Sequence, residues 1–295
     1  MRGNGVSNFL LHLLGSLVVL TIILLYNDGF ITQLFFVIMN LKNKVAVITG
    51  GASGLGEATV RRFVEQGTKC AIFDLNDERG NALAAELGEQ VAYFEADVTS
   101  EDSITDAVAS TMNHFGAIHI NCNYAGIGHG EKTVGREHKP HALDSYKRVV
   151  DINLVGTFNV LRLCAAQMSK QDVIDAESGR GVIINTASVA GYEGQIGQAA
   201  YAATKSAIIG STICLARDLA DLNIRVNTIV PGLIHTPLFD ALPENVYQSL
   251  ESSVLNPQRL GKPDEIAHLA QYLVENDYMN GESVRMDGGI RMQAR

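Results

Sequence analysis

The sequence predicts an α/β fold in which a doubly wound, mainly parallel sheet forms a single domain over residues 40–295. Three observations support this fold class. Short, nearly continuous apolar runs recur along the chain, helix-length segments separate them, and a glycine-rich turn follows the first run. Such runs are typical of parallel strands buried on both faces. Helix-length connections between them indicate right-handed crossovers.

The first half of the domain alternates between strand and helix. Gly67 and Gly88 follow the last periodic residues of two segments, as glycines do where helices end. Asp102 and Ser103 stand near the start of a third helical segment. The predicted order is a strand over 45–49, a helix over 57–66, a strand over 70–74, a helix over 78–87, a strand over 91–96 and a helix over about 101–115.

The second half continues the same alternation and adds two polar loops. The predicted order is a strand over 118–123, a loop over about 128–140, a helix over about 142–168, a loop over 169–180, a strand over 181–186, a helix over about 199–220, a strand over 225–230, a helical tail and a strand over 283–286. We find no second apolar core and no linker between residues 40 and 295, so one domain accounts for the pattern.

Composition narrows the class of function. Hydrophobic residues make up 46% and charged residues 19%, which is typical of a globular protein. The net charge of −9 provides no electrostatic footprint for nucleic acid, so we expect no direct nucleic-acid binding. The four cysteines lie in apolar patterns without CxxC spacing, and we interpret them as buried thiols in a reducing compartment.

Residues 1–38 form a hydrophobic extension that differs from the rest of the chain. The segment from Phe9 to Leu25 would span roughly 26 Å as a helix, slightly less than a hydrocarbon core of about 30 Å. It lacks both a signal-peptide cleavage site and the arginine-rich character of a mitochondrial presequence. Two interpretations stay open: the segment is a membrane anchor, or it lies upstream of a true start at Met39.

The turn after the first strand is suited to a dinucleotide. It reads Thr49-Gly50-Gly51-Ala52-Ser53-Gly54-Leu55-Gly56, where glycines let backbone N–H groups approach a pyrophosphate at a helix N-terminus. Asp74 ends the second strand, where a carboxylate accepts the ribose hydroxyls and repels a 2′-phosphate, so we expect NAD. Asp97-Val98 would flank the adenine. Helix capping is the alternative role for Asp74 and Asp97.

A tyrosine and a lysine one helical turn apart form a candidate acid/base pair. Tyr201 has an ordinary pKa near 10, so work near neutrality needs roughly 4 kcal/mol, and the Lys205 ammonium at about 4–5 Å supplies roughly that much. A tyrosine–lysine pair is also common on helix surfaces. Ser188 just past the strand over 181–186 provides context, because doubly wound sheets build their sites there. Asn153 on an apolar helix face would hold a water near Lys205 or is a buried amide.

Together, TGxxxGxG, the strand-ending Asp, the helical Asn, the Ser and YxxxK resemble the short-chain dehydrogenase/reductase family over residues 40–295. The resemblance implies a Rossmann fold and a catalytic tetrad of Asn153, Ser188, Tyr201 and Lys205. One departure is Tyr124 in Asn123-Tyr124-Ala125-Gly126, where most members have a second Asn. The cofactor contacts that it implies are Gly50, Ser53, Gly54, Leu55, Gly56, Asp74, Asp97, Val98, Tyr124, Gly126, Tyr201, Lys205, Pro231, Ile234 and Thr236.

Four stretches, 156–163, 181–205, 229–238 and 287–295, are similar to the members of that family that oxidise 3-hydroxyacyl-CoA thioesters. The similarity implies NAD-dependent conversion of (S)-3-hydroxyacyl-CoA to 3-oxoacyl-CoA, weaker activity on steroids, a homotetramer in mitochondria, and a non-catalytic role beside a methyltransferase in mitochondrial tRNA processing. The similarity does not include the extension over 1–38. The alternatives are a steroid or retinol dehydrogenase anchored through residues 9–25, and a scaffold without catalysis.

No metal site is expected from the sequence. His129, His138 and His141 fall in one polar loop, but their spacing is not that of a known ligand set. We therefore expect a solvated loop or one that covers the substrate.

Overall fold

A parallel sheet of seven strands forms the centre of the computed structural model, in the order β3-β2-β1-β4-β5-β6-β7. Every neighbouring pair in it is parallel. The strands are β1 (Val45–Thr49), β2 (Lys69–Asp74), β3 (Val91–Glu95), β4 (Ile120–Asn123), β5 (Gly181–Thr186), β6 (Ile224–Pro231) and β7 (Ser283–Met286). The predicted doubly wound parallel sheet is confirmed. The strand order reverses between β1 and β4, where doubly wound folds bind their ligands.

Helices connect these strands. They are α1 (Gly54–Glu65), α2 (Asp77–Leu87), α3 (Glu101–Phe115), α4 (Leu143–Val150), α5 (Thr157–Met168), α6 (Ala199–Ala220), α7 (Glu244–Ser253) and α8 (Pro263–Glu275). A π-helical segment, Asp151–Gly156, joins α4 to α5, so the helix predicted over about 142–168 is continuous but changes its winding. The first helix begins at Gly54 rather than at Glu57, because the glycine-rich turn itself winds into the first helical turn.

The core lies on both faces of the sheet. On β1, Ala46 and Ile48 belong to a cluster that includes Phe63 of α1, whereas Val47 between them packs with Val160 of α5 on the other face. Side chains alternate across a strand, so covering both faces requires apolar residues at every position. This is why β1 showed no polar alternation in the sequence.

Two helices leave apolar surface uncovered. The helical stretch Leu143–Met168 and α6 are long and apolar enough to cross a membrane, by length and composition only, and both also pack buried residues into the core. Cys70, Cys122 and Cys164 are buried as predicted, but the prediction was wrong for Cys214, which is exposed on α6. Its apolar surroundings in the sequence include Ile213, which is 43% exposed.

The structure describes residues 26–27, 30–31, 39–174, 179–237 and 243–294. The chain divides into two compact units, Met1–Val37 and Ile38–Arg295. Within the first unit, the strands Tyr26–Asn27 and Phe30–Ile31 pair antiparallel. The segment Phe9 to Leu25 lies outside the described residues, so its interpretation as an anchor stays a prediction.

Candidate active site

The turn between β1 and α1 is packed so closely that only glycine fits at two positions. A Cβ on Gly56 would lie 2.1 Å from the carbonyl oxygen of Gly50, and one on Gly50, whose φ is +62°, would lie 3.0 Å from the backbone nitrogen of Ala125. The Thr49 hydroxyl accepts hydrogen bonds from the backbone N–H groups of Tyr124 and Ala125, both at 3.1 Å. The turn is thereby held against the end of β4.

A cleft of about 1150 Å³ opens beside this turn, at the reversal point of the sheet. Its size and glycine cradle fit a dinucleotide. Four charged residues that the sequence had not suggested also face it: Asp144, Lys147, Arg148 and Asp151. The expected cofactor residues in its lining are Gly50, Ser53, Gly54, Leu55, Gly56, Asp74, Asp97, Val98, Tyr124, Gly126 and Thr236.

Asp74 at the end of β2 is not a helix cap. Asn76 caps α2, because its side chain accepts from the backbone N–H of Arg79. The Asp74 carboxylate instead accepts from the backbone N–H of Ala52 in the glycine-rich turn at 3.1 Å and from that of Asn76 at 3.0 Å. This ties the carboxylate to the turn and leaves it at the edge of the cleft, beside Leu75.

Asp97 after β3, like Asp74, accepts hydrogen bonds from nearby residues and is not a helix cap. Its carboxylate accepts from the backbone N–H and the hydroxyl of Thr99, at 2.9 and 2.7 Å. The cap of α3 is Ser100, whose hydroxyl accepts from the backbone N–H of Ser103. Capping is therefore excluded as the role of Asp97, which lines the cleft together with Val98.

The unusual Tyr124 leaves the backbone at that position in place. Its N–H donates to Thr49, while its hydroxyl lies 2.9 Å from the hydroxyl of Thr59 on α1. Burial raises the pKa of this phenol well above its ordinary value. The side chain therefore packs against α1 and leaves the backbone of Tyr124 as the part able to contact a cofactor.

Tyr201, Ser188 and Lys205 come together beyond the end of β5. Ser188 caps a short 3₁₀ turn, Val189–Gly191, and its hydroxyl is near enough to the phenol of Tyr201, in the first turn of α6, to lower the pKa of that phenol. One helical turn later, the Lys205 ammonium donates to the carbonyl oxygen of Thr186 at 2.8 Å and lies 5.7 Å from the centroid of the Tyr201 ring. The Thr186 carbonyl was not predicted as part of the site. Its position at the end of β5, where doubly wound sheets build their sites, could have indicated this role.

Burial is the largest influence on the pKa of Tyr201 and raises it, which opposes the effect expected from Lys205. The nearby Ser188 hydroxyl lowers this pKa only in part. Burial also lowers the pKa of Lys205 to about 8. The Lys205 ammonium donates to the Thr186 carbonyl, and burial removes the hydration of both the ammonium and the phenol.

Asn153 lies in the π-helical segment and is fully buried. Its amide donates to the carbonyl of Ile127 at 2.9 Å and accepts from the N–H of the same residue at 2.8 Å. A Cβ on Gly126 would stand 3.1 Å from the Asn153 side-chain oxygen and 3.8 Å from the Lys205 ammonium. Gly126 therefore keeps open the space between Asn153 and Lys205, where the predicted water would lie.

In the described part of the loop after β6, Thr236 lies beside the cofactor turn. The Thr236 methyl group would lie 3.6 Å from a Cβ on Gly54. Pro231 ends β6 in the core, and Ile234, 7% exposed, packs into the same apolar cluster as Phe63. The structure thus places Thr236 in the cleft and the side chains of Pro231 and Ile234 behind it.

Most of the chain is similar in sequence to known dehydrogenases. Residues 44–246 match the family described as short chain dehydrogenase. The chain is 50% identical over 255 residues, 86% of its length and 97% of the relative's, to 3-hydroxyacyl-CoA dehydrogenase type-2 of Homo sapiens. It is 37% identical over 251 residues, 84% of its length and 90% of the relative's, to 3-alpha-(or 20-beta)-hydroxysteroid dehydrogenase of Mycobacterium tuberculosis.

One solved structure is similar to this chain in both fold and sequence. The crystal structure of 3-hydroxyacyl-CoA dehydrogenase type-2 from Mycobacterium avium superposes with a TM-score of 0.83 and 42% identity, covering 86% of this chain and 98% of that chain.

Proposed function

The chain belongs to the short-chain dehydrogenase family, and we propose that it oxidises (S)-3-hydroxyacyl-CoA thioesters to 3-oxoacyl-CoA thioesters with NAD. The observation that carries this proposal is the convergence of Tyr201, Ser188 and Lys205 beside a cleft with a glycine cradle. The thioester substrate is supported by 50% and 47% identity to human and Drosophila melanogaster proteins named 3-hydroxyacyl-CoA dehydrogenase type-2.

Each polar residue has a distinct task in the reaction. The Ser188 hydroxyl and the Tyr201 phenol bind the substrate hydroxyl, and deprotonated Tyr201 accepts its proton. When bound, NAD supplies the hydride acceptor and a positively charged nicotinamide ring that favours the ionised phenol. Lys205 adds a positive charge while it is protonated and holds its position through Thr186. Asn153 fixes Ile127 at the entrance to the space leading to Lys205.

The preference for NAD over NADP is supported by Asp74. Its carboxylate is fixed by two backbone N–H groups at the cleft edge, where it would accept ribose hydroxyls and repel a 2′-phosphate. The next residue is Leu75, 64% exposed, where a basic side chain would be needed to hold that phosphate. We expect the double change Asp74→Ser and Leu75→Arg to shift the kcat/KM ratio toward NADPH by at least about tenfold; an unchanged ratio would contradict this role.

The test of the proposed function is the reverse reaction. Oxidation of NADH by acetoacetyl-CoA is followed optically with the purified chain, in parallel with NADPH and with a steroid ketone. Rapid turnover with acetoacetyl-CoA and NADH supports the proposal. Turnover with the steroid ketone alone would instead favour a steroid dehydrogenase, the activity named for the 37% identical mycobacterial relative.

We also propose that the chain forms a homo-oligomer, a tetramer by its resemblance. Val155 and Phe158 of the α4–α5 stretch are each 51% exposed, and Ile213 of α6 is 43% exposed. Val155 and Phe158 lie one helical turn apart, and neighbouring exposed apolar side chains are typical of a protein contact. Light scattering after chromatography should give a molar mass that is a multiple of 31.8 kDa. Phe158→Glu should reduce this mass. The control Tyr278→Glu, which changes a side chain that is 99% exposed, should not.

The location and a second role are further proposals. By resemblance, the chain acts in mitochondria and also binds a methyltransferase that processes mitochondrial tRNA. Fluorescence imaging of the tagged full chain tests the location, and membrane retention that requires residues 9–25 would favour the anchored alternative. Co-purification of a methyltransferase with both the wild type and Tyr201→Phe would show that the scaffold role is independent of catalysis.

A further inference from the structure

The loop after β4 folds back on itself as a hairpin. Val134 and Pro140 form an antiparallel bridge, and the backbone N–H of His141 donates to the carbonyl of Thr133 at 2.9 Å. The hairpin returns the chain to its own beginning, so that His141 lies beside Glu131. This proximity is not visible in the sequence, where the nine positions between them suggested only a polar loop.

Three side chains converge at the base of this hairpin. Glu131 Oε2 lies 3.1 Å from His129 Nε2 and 3.6 Å from His141 Nε2, and all three ligand atoms are within 4.8 Å of one another. Tetrahedral Zn²⁺ with bonds of about 2.0–2.1 Å requires ligand atoms about 3.3–3.4 Å apart. Two of these separations are therefore near the required value without any rearrangement of the backbone.

The orientation of His141 directs a lone pair into the cluster. Its Nδ1 is 3.1 Å from the backbone carbonyl oxygen of Glu131, and since a carbonyl can only accept, Nδ1 carries the hydrogen. In the neutral ring, Nε2 then presents its lone pair toward the Glu131 carboxylate. A backbone carbonyl on the far nitrogen is the arrangement that fixes histidine ligands at metal sites.

Ser145 is a further polar neighbour of Glu131 and His141. Its hydroxyl lies 2.6 Å from Glu131 Oε2, 3.1 Å from His141 Nε2 and 3.0 Å from the carbonyl of Ala142. A serine hydroxyl has one proton, so it can satisfy one of these three acceptors. The other Glu131 oxygen accepts from the backbone N–H of Ala142 at 2.7 Å, which holds the carboxylate in place. The Glu131 carboxylate is thus fixed beside both imidazoles.

We propose that His129, Glu131 and His141 form a Zn²⁺ site with a solvent molecule as the fourth ligand. Two imidazoles and one carboxylate are a donor set that zinc accepts in proteins. The side chains of His129 and Glu131 are 38% and 31% exposed, which gives the ion a path from solvent. This inference does not depend on the proposed dehydrogenase activity.

A bound ion would hold together the two arms of the hairpin, and the hairpin contacts a loop of the active site. The backbone N–H of Glu131 donates to the carbonyl of Gly197 at 2.8 Å, in the loop that leads into α6 and Tyr201. A bound ion fixes His129 and His141 to the same carboxylate and thereby closes the base of the hairpin. We expect the segment over 129–145 to exchange its amide hydrogens more slowly when the ion is bound.

The test is a Zn²⁺ titration of the chelator-treated, untagged full chain, read by competition with a chromogenic chelator. We expect one ion per chain and a Kd weakened about tenfold to a hundredfold by His129→Ala. His138→Ala removes an exposed histidine of the same hairpin, and Cys214→Ser removes the exposed thiol; both should leave the Kd unchanged. Equal Kd values for the wild type and His129→Ala would overturn the proposal.

Hydrogen exchange localises the ion independently of the variants. Slower exchange over 129–145 on addition of Zn²⁺, lost in His129→Ala, supports the site. Protection elsewhere in the chain would refute it. X-ray absorption should find nitrogen or oxygen ligands at about 2.0–2.1 Å and no sulfur.

Discussion

Replacing Gly56 with alanine should destabilise the protein, although alanine is the better helix former. Gly56 lies in the first turn of α1, where a Cβ would stand 2.1 Å from the carbonyl oxygen of Gly50 and 2.6 Å from its carbonyl carbon. Both atoms belong to the backbone and cannot move away by rotating a side chain. The substitution must therefore open the turn between β1 and α1.

The expected magnitude follows from two opposing terms. Forcing a methyl group into a closely packed site costs about 1–3 kcal/mol, and a contact with backbone belongs at the upper end of that range. The gain in helix propensity on replacing glycine with alanine is about 1 kcal/mol. The net loss in the free energy of unfolding is about 2 kcal/mol, which lowers Tm by about 4–8 °C for a domain of this size.

Gly210 provides the matched control for this prediction. It lies inside α6, and a Cβ there would meet nothing within 4 Å, so Gly210→Ala should raise stability by up to about 1 kcal/mol. Thermal unfolding by circular dichroism measures both variants, and an NADH titration should show weaker binding for Gly56→Ala alone. A Tm for Gly56→Ala equal to or above the wild-type value would refute the packing argument.

Three further variants test other parts of the structure. Tyr201→Phe should lower kcat by about 10²–10⁴ with NADH affinity unchanged, because only the proton acceptor is removed; near-normal turnover would reject the assignment. Burial lowers the pKa of Lys205 to about 8, so the unfolded chain retains this proton to higher pH than the folded one. The unfolding free energy of the wild type should therefore rise relative to Lys205→Met, by about 3 kcal/mol between about pH 8 and pH 10.5, and parallel denaturation curves would contradict this. Arg225→Met should destabilise by about 3 kcal/mol or more in urea unfolding, since the guanidinium donates to the buried carbonyls of Leu273, Val274 and Met279; a loss below about 1 kcal/mol would show these bonds to be dispensable.

Local patterns in the sequence correctly predicted most of the strands and helices. The strands Val45–Thr49, Gly181–Thr186 and Ser283–Met286 and the helix Ala199–Ala220 have the predicted bounds. Parallel strands need apolar residues on both faces, and this requirement is visible in each segment by itself. Tyr201 and Lys205 were also recognisable, because residues four apart share a helix face.

The order of elements, the cofactor turn and the acid/base pair could be predicted because each depends on residues close together in the chain. The bond from the Lys205 ammonium to Thr186, the exposure of Cys214 and the contact of Glu131 with two histidines could not, because each depends on the folded chain. Hydration, pKa values and long-range partners depend on which segments pack together. The packing of the whole chain sets these contacts. The spacing of residues along the chain does not predict them.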